Sequence, residues 1–221
     1  MDASTPFIRS NLREQIKDVI LQRIVSGEYE PGSRIVETRI AQELNVSQTS
    51  VREALRDLEQ LGCVIHEPFR GCSVRAFSAD ELLEAFPVRA ALEALGARLA
   101  AERISDAELD RLAELVEAMR VGAERGDPHE VAAANSAFHQ TILTAAGNAT
   151  LERQWSFLEP HARTFVSVSR PGMDLAKQAP RHVGILEALR RHDGDAAYAA
   201  MHEHLMSAAE LLRETTKGSE Q

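Results

Sequence analysis

Apolar positions along the chain fall into short mixed runs up to about residue 75 and into long helical runs beyond it. Leu12, Ile16, Val19, Ile20 and Ile24 follow helical spacing, and Ser26-Gly27 ends that run with glycine as the C′ residue. Pro31-Gly32 marks a turn. Glu37 to Leu44 reads as a short helix with Ile40, Ala41 and Leu44 inward. Asn45 suits the left-handed conformation that reverses a chain, and Ser47 suits the N-cap of the helix that follows. That helix turns Val51, Leu55, Leu58 and Leu61 to a core and stops at Gly62. Cys63-Val64-Ile65 and Cys72-Ser73-Val74 flank a turn with Pro68 and Gly71, which predicts a two-stranded hairpin.

A new helix start, Ser78-Ala79-Asp80-Glu81, follows the seam at Arg75-Ala76-Phe77. Six helices are predicted, at 80–103, 107–125, 129–146, 150–168, 176–192 and 195–215, with Pro160 kinking the fourth. Short connections between helices of this length make an antiparallel bundle. The expected fold is therefore mainly α. Residues 1–76 form a winged helix-turn-helix with a small β-hairpin wing, and residues 77–221 form an all-helical bundle. No internal repeat or low-complexity tract interrupts either part.

Charge sharpens the division. Residues 1–75 hold 10 Lys and Arg against 11 Asp and Glu, whereas residues 76–221 hold 15 against 23, so the net −9 lies almost wholly in the second part. Such a balance argues against nonspecific polyanion binding. No run approaches the roughly 18 apolar residues of a membrane span, and MDASTPFIRSNLREQ has no signal-peptide core, so a cytoplasmic protein is expected. Cys63 and Cys72 make no disulfide framework and read as small buried hydrophobes.

In a winged helix-turn-helix the first turn of the second helix enters the major groove. The short polar run Ser47-Gln48-Thr49-Ser50 allows close approach there, and free backbone N–H groups favour phosphate. Arg52 can pair with guanine O6 and N7 or with phosphate, and Gln48 can read adenine. Arg70-Gly71 at the hairpin tip can reach the backbone or the minor groove. Arg34 and Arg39 complete the set expected at DNA. The alternative for Arg52 is pairing with helix neighbours such as Glu53 or Asp57 on a solvated face.

The stretch from GEYEPGSRIVETRIAQELNVSQTSVREAL through RGCSV resembles the DNA-binding domain of the GntR family of bacterial transcription regulators, over about Leu12 to Val74. Family members commonly carry arginine where this sequence has Thr38, and often where it has Gln48. The resemblance implies an operator-binding homodimer with two recognition helices on half-sites of a near-palindromic operator.

Three histidines of the second part sit among apolar neighbours at helical spacing. His139 lies with Ile142, Leu143 and Ala146; His182 with Ile185, Leu186 and Leu189; His204 with Ala197, Ala200, Met201, Ala208 and Leu211. Asn135 and His139 form an i,i+4 pair on one face. Spacing alone leaves two readings open: ligands that close on a divalent metal, or unrelated histidines satisfied by hydrogen bonds. NSAFHQTILTAAGN at 135–148 and HVGILEALRRHDGDAAYAAMHEHL at 182–205 resemble the FadR-type effector domain of GntR regulators, in its shorter VanR-like form. That resemblance implies a metal site of Asn135, His139, His182 and His204, holding zinc, nickel or manganese, with zinc first. Asparagine stands where the family has aspartate, and its neutral oxygen is the weaker donor.

The remaining histidines read differently. His202 lies two residues from His204, about 200° round the helix, so both cannot bind one ion. His66, His129 and His192 read as surface or turn residues, while His161 beside Pro160 can line a cavity. Arg89 matches an arginine recurrent in the family, and its alternative is an i,i+4 pair with Glu93. Arg89 and Arg163 are the expected contacts of a small carboxylate effector. The function expected is a repressor whose operator binding this effector controls, in a bacterial cytoplasm and on the nucleoid when bound. A metal-dependent enzyme acting on a small carboxylate, with an appended DNA-binding domain, is the alternative. No Asp or Glu falls within one turn on the faces of His139 or His204, which leaves such an enzyme without a general base on those helices.

Overall fold

The computed structural model describes residues 6–25, 28–67, 71–158, 160–169 and 172–218. They form two compact units, Met1–Ala76 and Phe77–Gln221.

The first unit runs α1 (Pro6–Val25), β1 (Arg34–Ile35), α2 (Glu37–Glu43), α3 (Gln48–Gln60), β2 (Val64–Glu67) and β3 (Gly71–Val74). Ile16 and Ile20 of α1 and Ile40 and Ala41 of α2 are buried, as are Val51, Ala54, Leu55 and Leu58 of α3. Between α2 and α3, Asn45 adopts φ 52°, the left-handed turn anticipated there. Leu44 and Leu61 are only half-buried, because each is the C-cap residue of its helix rather than part of the inward stripe. The sheet holds one strand more than the hairpin expected. β1 pairs antiparallel with β3 through Arg34 opposite Ser73 and Ile35 opposite Cys72, giving the order β1-β3-β2. The predicted end of α1 at Ser26-Gly27, and Pro68 in the turn between β2 and β3, lie outside the described residues.

The second unit contains, among its described residues, α4 (Ala79–Ala101), α5 (Asp106–Arg125), α6 (Pro128–Ala145), α7 (Ala149–Ser156), α8 (Pro160–Val168), α9 (Pro180–Arg190) and α10 (Gly194–Gly218). Reciprocal capping boxes start α4 at Ser78/Glu81 and α5 at Ser105/Glu108. Two expectations are corrected. The fourth predicted helix is two helices, with α7 capped at Phe157 and α8 beginning at Pro160. The missing N–H and fixed φ of proline suit it to start a helix, so the break is complete rather than a kink. The fifth begins at Pro180, preceded by a 3-10 turn at Leu175–Lys177, again with proline in the first turn.

Helix α4 packs on α10 and α6, α5 on α6, α6 on α8, and α9 on α10. Ala90, Ala94, Ala97, Ala100 and Ala101 of α4 are buried, and such small side chains let helix axes approach closely. A Cβ at Gly96 would stand 3.0 Å from Leu143 Cδ1, so α4 and α6 pack tightly there. This close packing carries His139, His182 and His204, from α6, α9 and α10, into one interior.

Candidate functional site

In the first unit, Ser47 caps α3 by accepting a hydrogen bond at Oγ from the Ser50 N–H, 3.1 Å away. Gln48 and Thr49 in the first turn are exposed. The Arg52 side chain is 51% exposed, and its Nε and Nη2 donate to Glu37 Oε2 at 3.1 and 3.0 Å. Its partner is thus the first residue of α2, not Glu53 or Asp57. Asp57 pairs with Arg13 at 2.9 Å. Arg39 is exposed and pairs with Glu43 at 2.8 Å. Arg34, on β1, holds its guanidinium 3.5 Å from where a Cβ on Gly71 would stand. Gly71 has φ 86°, a conformation side chains disfavour, so glycine meets both the turn and the approach of Arg34. Arg70 lies outside the described residues.

In the second unit, the ligating atoms of His139, His182 and His204 lie within 4.8 Å of one another. All three rings are buried, as is Asn135. Their tautomers follow from their partners. His182 Nδ1 donates to the Gln178 carbonyl at 2.8 Å, and this leaves the Nε2 lone pair. His139 Nδ1 lies 2.5 Å from Glu93 Oε2, a distance at which one atom must carry a proton; with it on Nδ1, Nε2 is the lone-pair nitrogen. Burial above all pushes the His182 imidazole down to about 3, and burial pushes His204 well below its ordinary value. Both rings are neutral at pH 7, the form a metal requires.

The donor set fits a cation. His182 Nε2, His204 Nδ1 and Asn135 Oδ1 are buried with no hydrogen-bond partner among the described residues. Buried lone pairs are costly unless something electropositive meets them. Three converging nitrogens with an amide oxygen nearby have the donor chemistry of a divalent metal site.

Glu93 was not anticipated here. It comes from α4, a different helix from His139, so no spacing on α6 or α10 reports it. Its carboxylate accepts from Arg89 Nε at 2.8 Å and meets His139 on its other oxygen, with no accessible surface. Burial alone would push this carboxyl up; the charges of Arg89 and His139 and the hydrogen bonds around it instead hold it down at about 2. A carboxylate so held orients His139 from behind and is a poor proton acceptor at neutral pH.

Beside these residues opens a cavity in part continuous with solvent. Asn135, His139 and His204 reach it, with Arg89, Thr164, Ser167, Gln178 and Arg181. Arg89 both pairs with Glu93 and lines the cavity, donating through Nη1 to Thr164 Oγ1 at 3.3 Å. Arg163 is placed elsewhere: it donates to the carbonyls of Leu158 and Glu81 at 2.8 and 2.6 Å and stacks over Phe77. Arg181, which the sequence pattern did not single out, occupies the cavity wall instead. His161 packs edge-on against Trp155 and is not among the cavity-lining residues. His202 is exposed and stacked on Tyr198, while His192 contacts the Ala101 carbonyl at 2.8 Å. The Cys72 thiol, pushed up to about 12 by burial, is inert.

Comparison with known proteins matches residues 12–74 to the bacterial regulatory proteins of the gntR family and residues 84–207 to the FCD domain. The chain is 34% identical over 206 residues to the "Probable D-xylose utilization operon transcriptional repressor" of Paenarthrobacter nicotinovorans, covering 93% of this chain and 91% of that one. It is 29% identical over 211 residues to the HTH-type transcriptional repressor RspR of Escherichia coli K12, covering 92% and 90%. The solved structure of E. coli McbR/YncC shares the fold with a TM-score of 0.70 at 23% identity, over 92% of this chain and 97% of that one. These relatives are regulators, so the alternative of an enzyme with an appended DNA-binding domain is set aside. No helix among the described residues is long and apolar enough to cross a membrane. With its gntR-type helix-turn-helix and its FCD domain, the chain belongs to the GntR family of DNA-binding transcriptional regulators.

Proposed function

We propose that this regulator is a homodimeric repressor whose hold on a near-palindromic operator is controlled by a small carboxylate in the C-terminal cavity. One observation carries the reading. Three buried imidazoles have ligating atoms within 4.8 Å of one another, and two of them, His139 and His204, border a cavity whose wall also bears Arg89 and Arg181. His139, His182 and His204 would hold a divalent metal, zinc first, with Asn135 Oδ1 as a neutral fourth donor. When bound, the metal supplies a fixed positive charge for a carboxylate to meet. Around it, Glu93 fixes the His139 ring, the Gln178 carbonyl fixes His182, and Thr164, Ser167 and Gln178 offer hydrogen-bonding groups to the ligand.

At DNA, Gln48, Thr49 and Arg52 would present side chains to base edges, while Ser47, Arg34, Arg39, Arg70 and Gly71 would meet the backbone. Arg52 exchanges its pairing with Glu37 for DNA. The effector acts by differential affinity for operator-competent and incompetent arrangements of the dimer.

The test uses full-length protein and a double-stranded operator selected from random sequence. Metal-loaded protein should bind as a dimer and change its operator affinity on addition of a small carboxylate. Chelated protein should lose that response. A response unchanged by chelation would contradict the metal's part in it, and binding as a monomer would contradict the dimer.

A further inference from the structure

The charges around the cavity are unequal in one respect. Arg89 is neutralised by Glu93, with both side chains at most 4% exposed. Arg181 has no such counterion among the described residues. Its Nη2 donates to the His204 carbonyl at 2.6 Å and to Ser207 Oγ at 3.0 Å, which uses both hydrogens of that nitrogen. The guanidinium carries five N–H donors. The three on Nε and Nη1 have no protein acceptor among the described residues.

The surroundings of Arg181 sharpen this. Among the described residues no Asp or Glu lines the cavity. On its other side Arg181 borders a second cleft between α9 and α10, which Glu203 also lines, yet no ion pair joins the two. Arg181 therefore stands in the partition between cavity and cleft, anchored by one nitrogen and with its remaining donors uncommitted. A half-buried cation in this state is a site for an anion that the chain does not itself provide.

We infer that the effector is a dicarboxylate, with one carboxylate directed to the metal site and the second held by Arg181. This rests on the metal-and-carboxylate reading above and adds the number of anionic groups and the residue that counts them. Geometry supports it: Arg89 is already paired with Glu93, so among the described residues Arg181 is the lining cation left to meet a second carboxylate.

The probes are acids matched in chain length: malonate against propionate, succinate against butyrate, and glutarate against pentanoate. Each is titrated calorimetrically into full-length, zinc-loaded protein. In at least one pair the dicarboxylate should bind on the order of tenfold tighter or more, the fold-change expected of a charge-assisted hydrogen-bonded pair. Arg181→Gln, which keeps a donor for the His204 carbonyl, should erase that preference, lowering dicarboxylate affinity far more than monocarboxylate affinity. Arg181→Lys, which keeps the charge without the fork, should retain part of it and serves if the glutamine variant does not fold. Equal affinity within every pair in the parent would overturn the inference, as would equal losses for mono- and dicarboxylates in the variants. Protein that holds zinc yet binds neither class, or holds no zinc, overturns the proposed function and this inference with it.

Discussion

Glu93 shows how one residue can serve two neighbours. It balances Arg89 and receives His139 Nδ1, so its charge sets both the cavity wall and the orientation of a ligand ring. Glu93→Gln should therefore weaken zinc binding by about 10–100-fold, the usual cost of losing such a supporting partner, with calorimetry of the apo protein as the measure. Asn135 tests the opposite charge change. Asn135→Asp should tighten zinc, because a carboxylate adds negative charge beside the cation, and should weaken a carboxylate effector that must share it. Zinc titration showing no gain would remove Asn135 from the ligand set. The pH dependence has a definite sign. His182 titrates near 3 when folded against 6.5 as its ordinary value, so across that window the unfolded chain binds more protons. His204 acts in the same direction, and Glu93, near 2 against 4.5, extends the effect further into acid. Metal-free protein should lose thermal stability steadily as pH falls below about 6.5, and His182→Ala should flatten the upper part of that slope.

At the scale of elements, legibility followed the length and strength of each local signal. The helix-turn-helix was readable because Asn45, the Ser47 cap and the stripe of Val51, Leu55 and Leu58 agree on one geometry. Strand β1 was not, since two residues carry no period and Arg34-Ile35 pairs with β3 only through tertiary contact. Pro160 and Pro180 were visible, but a proline that kinks a helix and one that starts a new helix look alike until packing decides. The three histidines stood out because each interrupts an apolar face. Glu93 and Arg181 did not. Glu93 read as the partner of Arg89 alone, and Arg181 stands beside a histidine in a chain rich in arginine. The recognition helix carries its own prediction. Arg52→Ala should abolish detectable operator binding while the circular dichroism spectrum stays that of the parent, because the side chain lies outside the core and gives up only its pairing with Glu37. Glu37→Gln, which releases Arg52, should bind operator at least as tightly. Unchanged affinity and salt slope in Arg52→Ala would remove it from the interface.

For the whole molecule, the charge division runs with two tasks: the near-neutral first unit carries the helix-turn-helix, and the acidic second unit surrounds an interior with the three buried histidines. The account turns on whether that interior holds a metal on His139, His182 and His204. Native mass spectrometry of the full-length protein, with parallel elemental analysis, measures this most directly. The parent should retain about one divalent metal per chain. His139→Ala, His182→Ala and His204→Ala should each retain little or none and melt at lower temperature, because a metal that binds only the folded state adds stability. His202→Ala, an exposed residue two positions from His204, should match the parent in both respects. A parent that carries no metal even after zinc loading, or metal lost equally from His202→Ala, would contradict the account.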